Sequence, residues 1–144
     1  MISLNHVLAG TAIALVVKQP ALVAPLTFLS HFILDATPHF SYKWPRLKFQ
    51  TIWAMDAVAS AVALLSICWA FPSLTLSIVV GGVFAELPDV SWLYERLIIH
   101  RKSKNWFFRF HHAIQWSETK RGLFYELGYT IILIVVNMLL LASN

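Results

Sequence analysis

Few residues of this chain can do chemistry, and most lie inside apolar stretches. His6, His31, Asp35, Asp56, Glu86, Asp89 and Glu126 interrupt long uncharged runs, with His39, His111 and His112 just outside them. An ionisable group within a membrane helix is expensive and calls for a partner or a function. Imidazoles mixed with carboxylates, with the lone thiol of Cys68 inside an apolar run, form a donor set suited to Zn²⁺ or another divalent first-row ion. His31 and Asp35 are four residues apart, so both project from one helical face and can grip one ion. Glu86 and Asp89, three apart, also share a face. His39 follows Asp35 by another four, but Pro38 ends the helix and leaves its direction open. On an amphipathic segment His111 lies with Phe107 and Ile114, and His112 with Phe108 and Trp116. The spacing does not choose cleanly, and His111 is favoured.

The elements that must position these groups follow from the apolar runs. The chain has 144 residues, 58% of them apolar and 12% charged, with a mean hydropathy of +0.68. A soluble domain carries about 45–50% apolar and about 25% charged residues. The composition therefore predicts a single integral membrane domain over residues 1–144 and excludes a disordered tail or a disulfide-rich secreted fold. The expected fold class is all-α, a polytopic membrane bundle of about five transmembrane helices with an amphipathic interfacial helix. The spans are expected at Leu4–Val17, Pro20–Thr37, Thr51–Phe71, Ser73–Tyr94 and Gly122–Leu141, with the interfacial helix within Asn105–Trp116. Met1–Val17 lacks a basic start and a small-x-small cleavage site, so it reads as a retained helix.

Basic residues set the orientation. Lys43, Arg46, Lys48, Arg96, Arg101, Lys102, Lys104, Arg109, Lys120 and Arg121 fall on the side of the N-terminus, and Lys18 on the other. The positive-inside rule makes the first side cytoplasmic, as in a bacterial inner membrane. The net charge of +4 is thus a topology signal suited to anionic headgroups, and nucleic-acid binding is not expected. With this orientation all seven intramembrane ionisable groups lie within roughly 3–12 Å of the cytoplasmic end of their helices. Asp and Glu stems are too short for snorkelling to explain that convergence. A shared polar layer explains it.

Each residue also has a plainer reading. His6 near a helix start is commonly an interfacial histidine, and His31 with Asp35 fits a structural hydrogen-bonded pair as well as a metal pair. Asp56 could bond a neighbouring helix, and Glu86-Leu87-Pro88-Asp89 could be an interfacial turn. Trp44, Trp53, Trp92, Trp106 and Trp116 fit an aromatic belt at the cytoplasmic boundary.

The segment Ser30-His31-Phe32-Ile33-Leu34-Asp35-Ala36-Thr37-Pro38, followed by Trp44-Pro45, resembles the SH-x-x-x-D-x-x-TP…WP segment of the YdjM-like small inner-membrane metal-dependent hydrolases. That group is distantly similar to zinc-dependent phospholipase C. Asn5-His6-Val7-Leu8 resembles its N-terminal start, and Leu87-Pro88-Asp89 its LPD motif. The resemblance covers about a quarter of the chain. It implies that His6, His31, Asp35 and Asp89 are metal ligands.

Taken together, the sequence predicts a membrane-embedded metal-dependent hydrolase, acting at the cytoplasmic interface on a phosphoester of a lipid or membrane-surface substrate. The candidate ligands are His6, His31, Asp35, His39, Asp89 and His111. That is more than one zinc needs, so two ions, or some residues that only orient the ligands, are expected. Asp56 or Glu86 is the candidate general base, and Lys43, Arg46 and Arg109 would attract the anionic substrate. Membrane lipids and a small-molecule or lipid substrate are the expected partners. A proton- or metal-ion-coupled transporter is one alternative, although Ala57–Ala70 and Ile131–Leu141 carry no ionisable residue to continue a pathway. A homo-oligomer with a pore on its axis would lift that objection. A non-catalytic scaffold is the other alternative.

Overall fold

A computed structural model describes residues 1–40, 49–100, 103–119 and 121–143. The described chain is helical: α1 (Ser3–Val17), α2 (Pro20–Asp35), α3 (Phe49–Ala70), α4 (Thr75–Glu86), α5 (Val90–Tyr94), α6 (Trp106–Ile114) and α7 (Gly122–Ser143). Two short strands, β1 (His39–Phe40) and β2 (Glu118–Thr119), pair in parallel, with His39 opposite Glu118. This tie between the α2 exit and the α7 entry was not foreseen from the sequence.

Helix α1 is the axis of the bundle. It packs against α2, α3, α4 and α7 and buries residues all around its circumference, among them His6, Leu8, Gly10, Thr11 and Leu15. A helix enclosed in this way need not match the bilayer. Its 15 residues and the 16 of α2 give roughly 22–24 Å, short of a hydrocarbon core of about 30 Å. Among the described residues, three helical stretches are long and apolar enough to cross a membrane: Thr51–Ala70, Pro72–Tyr94 and Gly122–Ser143. Length and composition therefore mark three spans, where five were expected. The outward faces of α3 and α7 are apolar and exposed, through Met55, Val62 and Leu65 on one and Ile131, Val135 and Leu139 on the other.

Small residues let α1 and α4 meet backbone to backbone. Gly10 and Ala14 on α1 face Gly81 and Ala85 on α4, and a Cβ at Gly10 would overlap the Gly81 carbonyl. This is the small-xxx-small device that brings membrane helices close. Polar pairs add to it. Thr11 donates to Asn137 at 2.9 Å, Asn137 donates to the Leu8 carbonyl at 2.9 Å, and Thr130 donates to Asn5 at 2.8 Å.

Two expected boundaries move for local reasons. The span expected to run unbroken over Ser73–Tyr94 is interrupted by a 3₁₀ turn at Leu87–Asp89, because Pro88 has no N–H to continue the α-helical ladder. Helix α6 starts one residue late because Asn105 is its cap, accepting from the Phe107 N–H at 2.9 Å.

Candidate metal centre

The ionisable groups of the apolar helices gather at one end of the bundle, around the start of α1, and divide into two sets. One set satisfies the orphan N–H groups that every helix start leaves. Asp56 of α3 accepts from the Ser3 N–H at 2.7 Å and the Leu4 N–H at 3.1 Å, one with each carboxylate oxygen. Glu126 of α7 accepts from the Ile2 N–H at 3.1 Å, the Asn5 side chain at 2.6 Å and the Phe40 N–H at 3.3 Å. Both acids sit where the α1 dipole favours negative charge.

The second set is the candidate centre. His31 and Asp35 of α2, Asp89 at the α4–α5 joint and His111 of α6 point one ligand atom each into a common space. His31 Nε2 lies 3.2 Å from Asp35 Oδ2, 3.6 Å from Asp89 Oδ1 and 3.1 Å from His111 Nε2. His111 Nε2 lies 3.2 Å from Asp35 Oδ2 and 3.4 Å from Asp89 Oδ1. Four ligands at 2.0–2.1 Å from a tetrahedral ion stand about 3.3 Å apart. These five separations cluster around that edge.

The imidazole orientations agree. His31 Nδ1 lies 2.6 Å from the Ala85 carbonyl, which can only accept, so the proton of the neutral ring is on Nδ1 and Nε2 offers a lone pair. His111 Nδ1 lies 3.1 Å from Ser91 Oγ, which turns Nε2 toward the centre. Such partners behind the ligands are how protein metal sites fix tautomer and ring orientation. Three of the four residues are buried, and Asp89 is partly exposed. The group can hold a metal ion.

The remaining expected residues surround this group. His6 is fully buried, its ring stacked on His31 at 4.0 Å and 16°. Its Nε2 is 3.3 Å from Asp35 Oδ1, yet neither ring nitrogen has a partner in hydrogen-bond geometry. The Met1 amino group is 2.8 Å from the same Asp35 oxygen. His39 lies outside the four-residue group, on β1, with Nδ1 2.8 Å from the Thr37 carbonyl. Glu86 accepts from Ser3 Oγ at 2.5 Å through Oε2, whereas its buried Oε1 has no hydrogen-bond partner. Arg109 is exposed on α6, and Lys43 and Arg46 lie outside the described residues.

The choice between the adjacent histidines is settled by their sides of α6. His111 enters the centre, and His112 pairs with Glu95 at 2.7 Å. Gln115 was missed. It donates to Asp35 Oδ2 at 3.2 Å, and its position four residues after His111 on the same helical face was the available signal. Ser91 and the Ala85 carbonyl were also missed, and nothing in their residue types marks them.

Compared with family models, with curated proteins and with solved structures, the chain matches none. Its site therefore has to be read from its own geometry.

Proposed function

We propose that this protein is a membrane-embedded, zinc-dependent hydrolase, with its centre at the cytoplasmic face of a bacterial inner membrane. The observation that carries the reading is the convergence of His31, Asp35, Asp89 and His111, their ligand atoms all within 4.8 Å of one another and both imidazoles turned Nε2-first. Two imidazoles and two carboxylates suit zinc better than an ion that prefers all-oxygen ligands. The resemblance of Ser30–Pro38 and Leu87–Asp89 to the YdjM-like hydrolases supports three of these ligands, His31, Asp35 and Asp89; His111 rests on the geometry alone. The excess of Lys and Arg beside the polar end supports the orientation.

A bound divalent ion would supply Lewis acidity and water activation near neutral pH. The chain's own residues do the rest. Gln115 and Ser91 hold Asp35 and His111 in register. Glu86, which lines a cavity together with Asp89 and has one oxygen without a hydrogen-bond partner, is the group to take up a proton from the attacking water. Asp56, with both oxygens engaged by the start of α1, is assigned to holding that helix in place. The substrate class is a phosphoester of a lipid or of a molecule at the membrane surface.

The test is metal content. The protein is purified in mild detergent without added metal, and bound ions are measured by mass spectrometry beside His31→Ala and His111→Ala variants. About one zinc per chain, lost in either variant while the fold persists, is the expected result. Metal-free, well-folded wild type that takes up no zinc or manganese on incubation would overturn the reading.

A further inference from the structure

A cavity of about 740 Å³ opens beside the metal centre, between α1, α3 and the α4–α5 stretch. Of the four candidate ligands Asp89 alone lines it, and Asp89 is also the one that is partly exposed. The cavity is thus the approach to the centre. From Asp56 it runs along α3 past Ala57 and Ala61 to Leu64, eight residues or about 12 Å of helix. Its walls there are apolar, with Val7 of α1 beneath and Val83 of α4 opposite. It stops where α3 and α4 close up, since a Cβ on Gly82 would press on Leu64.

The setting of this apolar arm points to its occupant. Its two walls belong to Thr51–Ala70 and Pro72–Tyr94, both long and apolar enough to cross a membrane. Its rim is exposed, at Ala61 on one side and at Val83 and Leu87 on the other. An exposed apolar rim on a membrane span faces lipid. The arm therefore opens sideways toward the bilayer, and the same cavity leads on to Asp89. The polar end carries charge of both signs, the Met1 amino group beside the carboxylates of Asp56, Glu86, Asp89 and Glu118. That end singles out no headgroup charge, and selection lies in the apolar arm.

We propose that the substrate of this centre is a membrane lipid that enters sideways between α3 and α4, keeping one acyl chain in the cleft while its headgroup reaches the Asp89 end. The chain lies along Ala57, Ala61 and Leu64. A phosphoester without a chain, arriving from water, would leave this arm unfilled and gain nothing from it. The proposal rests on the hydrolase reading only in calling the lipid a substrate; the place of the chain in the cleft stands without it.

The probes are dodecylphosphonate and methylphosphonate, the same head with and without a chain, neither of them with a phosphoester to cleave. Each is added to the full protein in detergent, and bound adducts are read by native mass spectrometry. Dodecylphosphonate should give a single adduct, and methylphosphonate none at the same concentration. Ala61→Trp and Ala57→Phe, which fill the cleft, should weaken the long probe about 5- to 150-fold, the cost of overpacking. Val62→Trp, exposed on the same helix and outside the cavity, should bind it as wild type does. Melting temperature and metal content show that each variant is folded. Equal binding by wild type and both cleft variants, equal weakening by Val62→Trp, or methylphosphonate binding as well as the long probe would overturn the proposal. A protein that takes up no zinc yet shows the expected pattern would sink the hydrolase reading alone; a zinc-loaded protein without the pattern would sink this one alone.

Discussion

Asp35 shows how one side chain can serve two sides of a site. Its Oδ2 faces His31, His111 and Gln115, and its Oδ1 faces His6 and the Met1 amino group. The residues behind the ligands then decide how well the ligands are aimed. Ser91 is the cleanest to test, because it touches His111 Nδ1 and its loss leaves all four donors in place. Ser91→Ala should weaken metal binding about 10- to 100-fold without abolishing it, as read by competition with a chromophoric chelator. Unchanged affinity would show that Ser91 does not orient His111. A second prediction concerns His39, outside the spans. Burial, reinforced by the nearby Met1 amino group, holds its imidazole below the ordinary value of 6.5. The unfolded chain then takes up more protons as pH falls through that value, so the stability His39 permits is complete above it and declines below. His39→Gln keeps a donor for the Thr37 carbonyl and removes the titration. Its melting temperature should fall less than that of wild type between pH 7.5 and 5.5, and an equal fall would sink the assignment.

At the scale of elements, the α1–α4 crossing positions the centre. His31 takes its tautomer from the Ala85 carbonyl, and Ala85 lies one turn beyond Gly81, where the two backbones touch. Gly81→Val would force the helices apart. A cost of about 1–3 kcal/mol or more is expected, seen as a lower melting temperature in detergent, together with weakened zinc binding as the carbonyl moves. A stable Gly81→Val protein with unaltered zinc affinity would break this link. The sequence carried much of the architecture, since apolar runs and prolines placed every long helix to within a few residues. It also carried the common depth of His31, Asp35 and Asp89, because depth along a helix is a linear property. It could not separate acids that cap α1 from acids that face the centre, because rotation around a helix in a bundle is fixed by packing. Asp56 and Glu86 looked alike for that reason. The choice of His111 over His112 had the same origin: both lie on an amphipathic turn, and only the docking of Phe107 and Phe110 onto Phe28 and Phe32 turns one of them inward.

Over the whole molecule, the four donors come from elements of very different standing. His31 and Asp35 belong to a helix packed on the buried α1, and Asp89 to the turn that ends α4, whereas His111 arrives on α6, a nine-residue helix with Trp106 and Phe110 exposed along its surface and Trp116 exposed just past its end. Helix α6 reaches the bundle through the phenylalanines of α2, through His112 with Glu95, and through the centre itself. An ion shared between α2, the α4–α5 joint and α6 would therefore act as a clasp, its binding energy appearing as local stability of the peripheral helix. Removing the ion should free α6 first and leave α1 untouched. Hydrogen exchange followed by mass spectrometry, with and without chelator, reads this directly. Peptides spanning residues 106–117 should lose protection on chelation, while those spanning residues 5–15 keep theirs. Zinc should restore the first set in wild type but not in His111→Ala. Equal protection of 106–117 in both states would mean that the aromatic packing, the His112–Glu95 contact and Ser117 on the Thr37 carbonyl hold α6 without the ion, and that the centre gains His111 without fastening the helix that carries it.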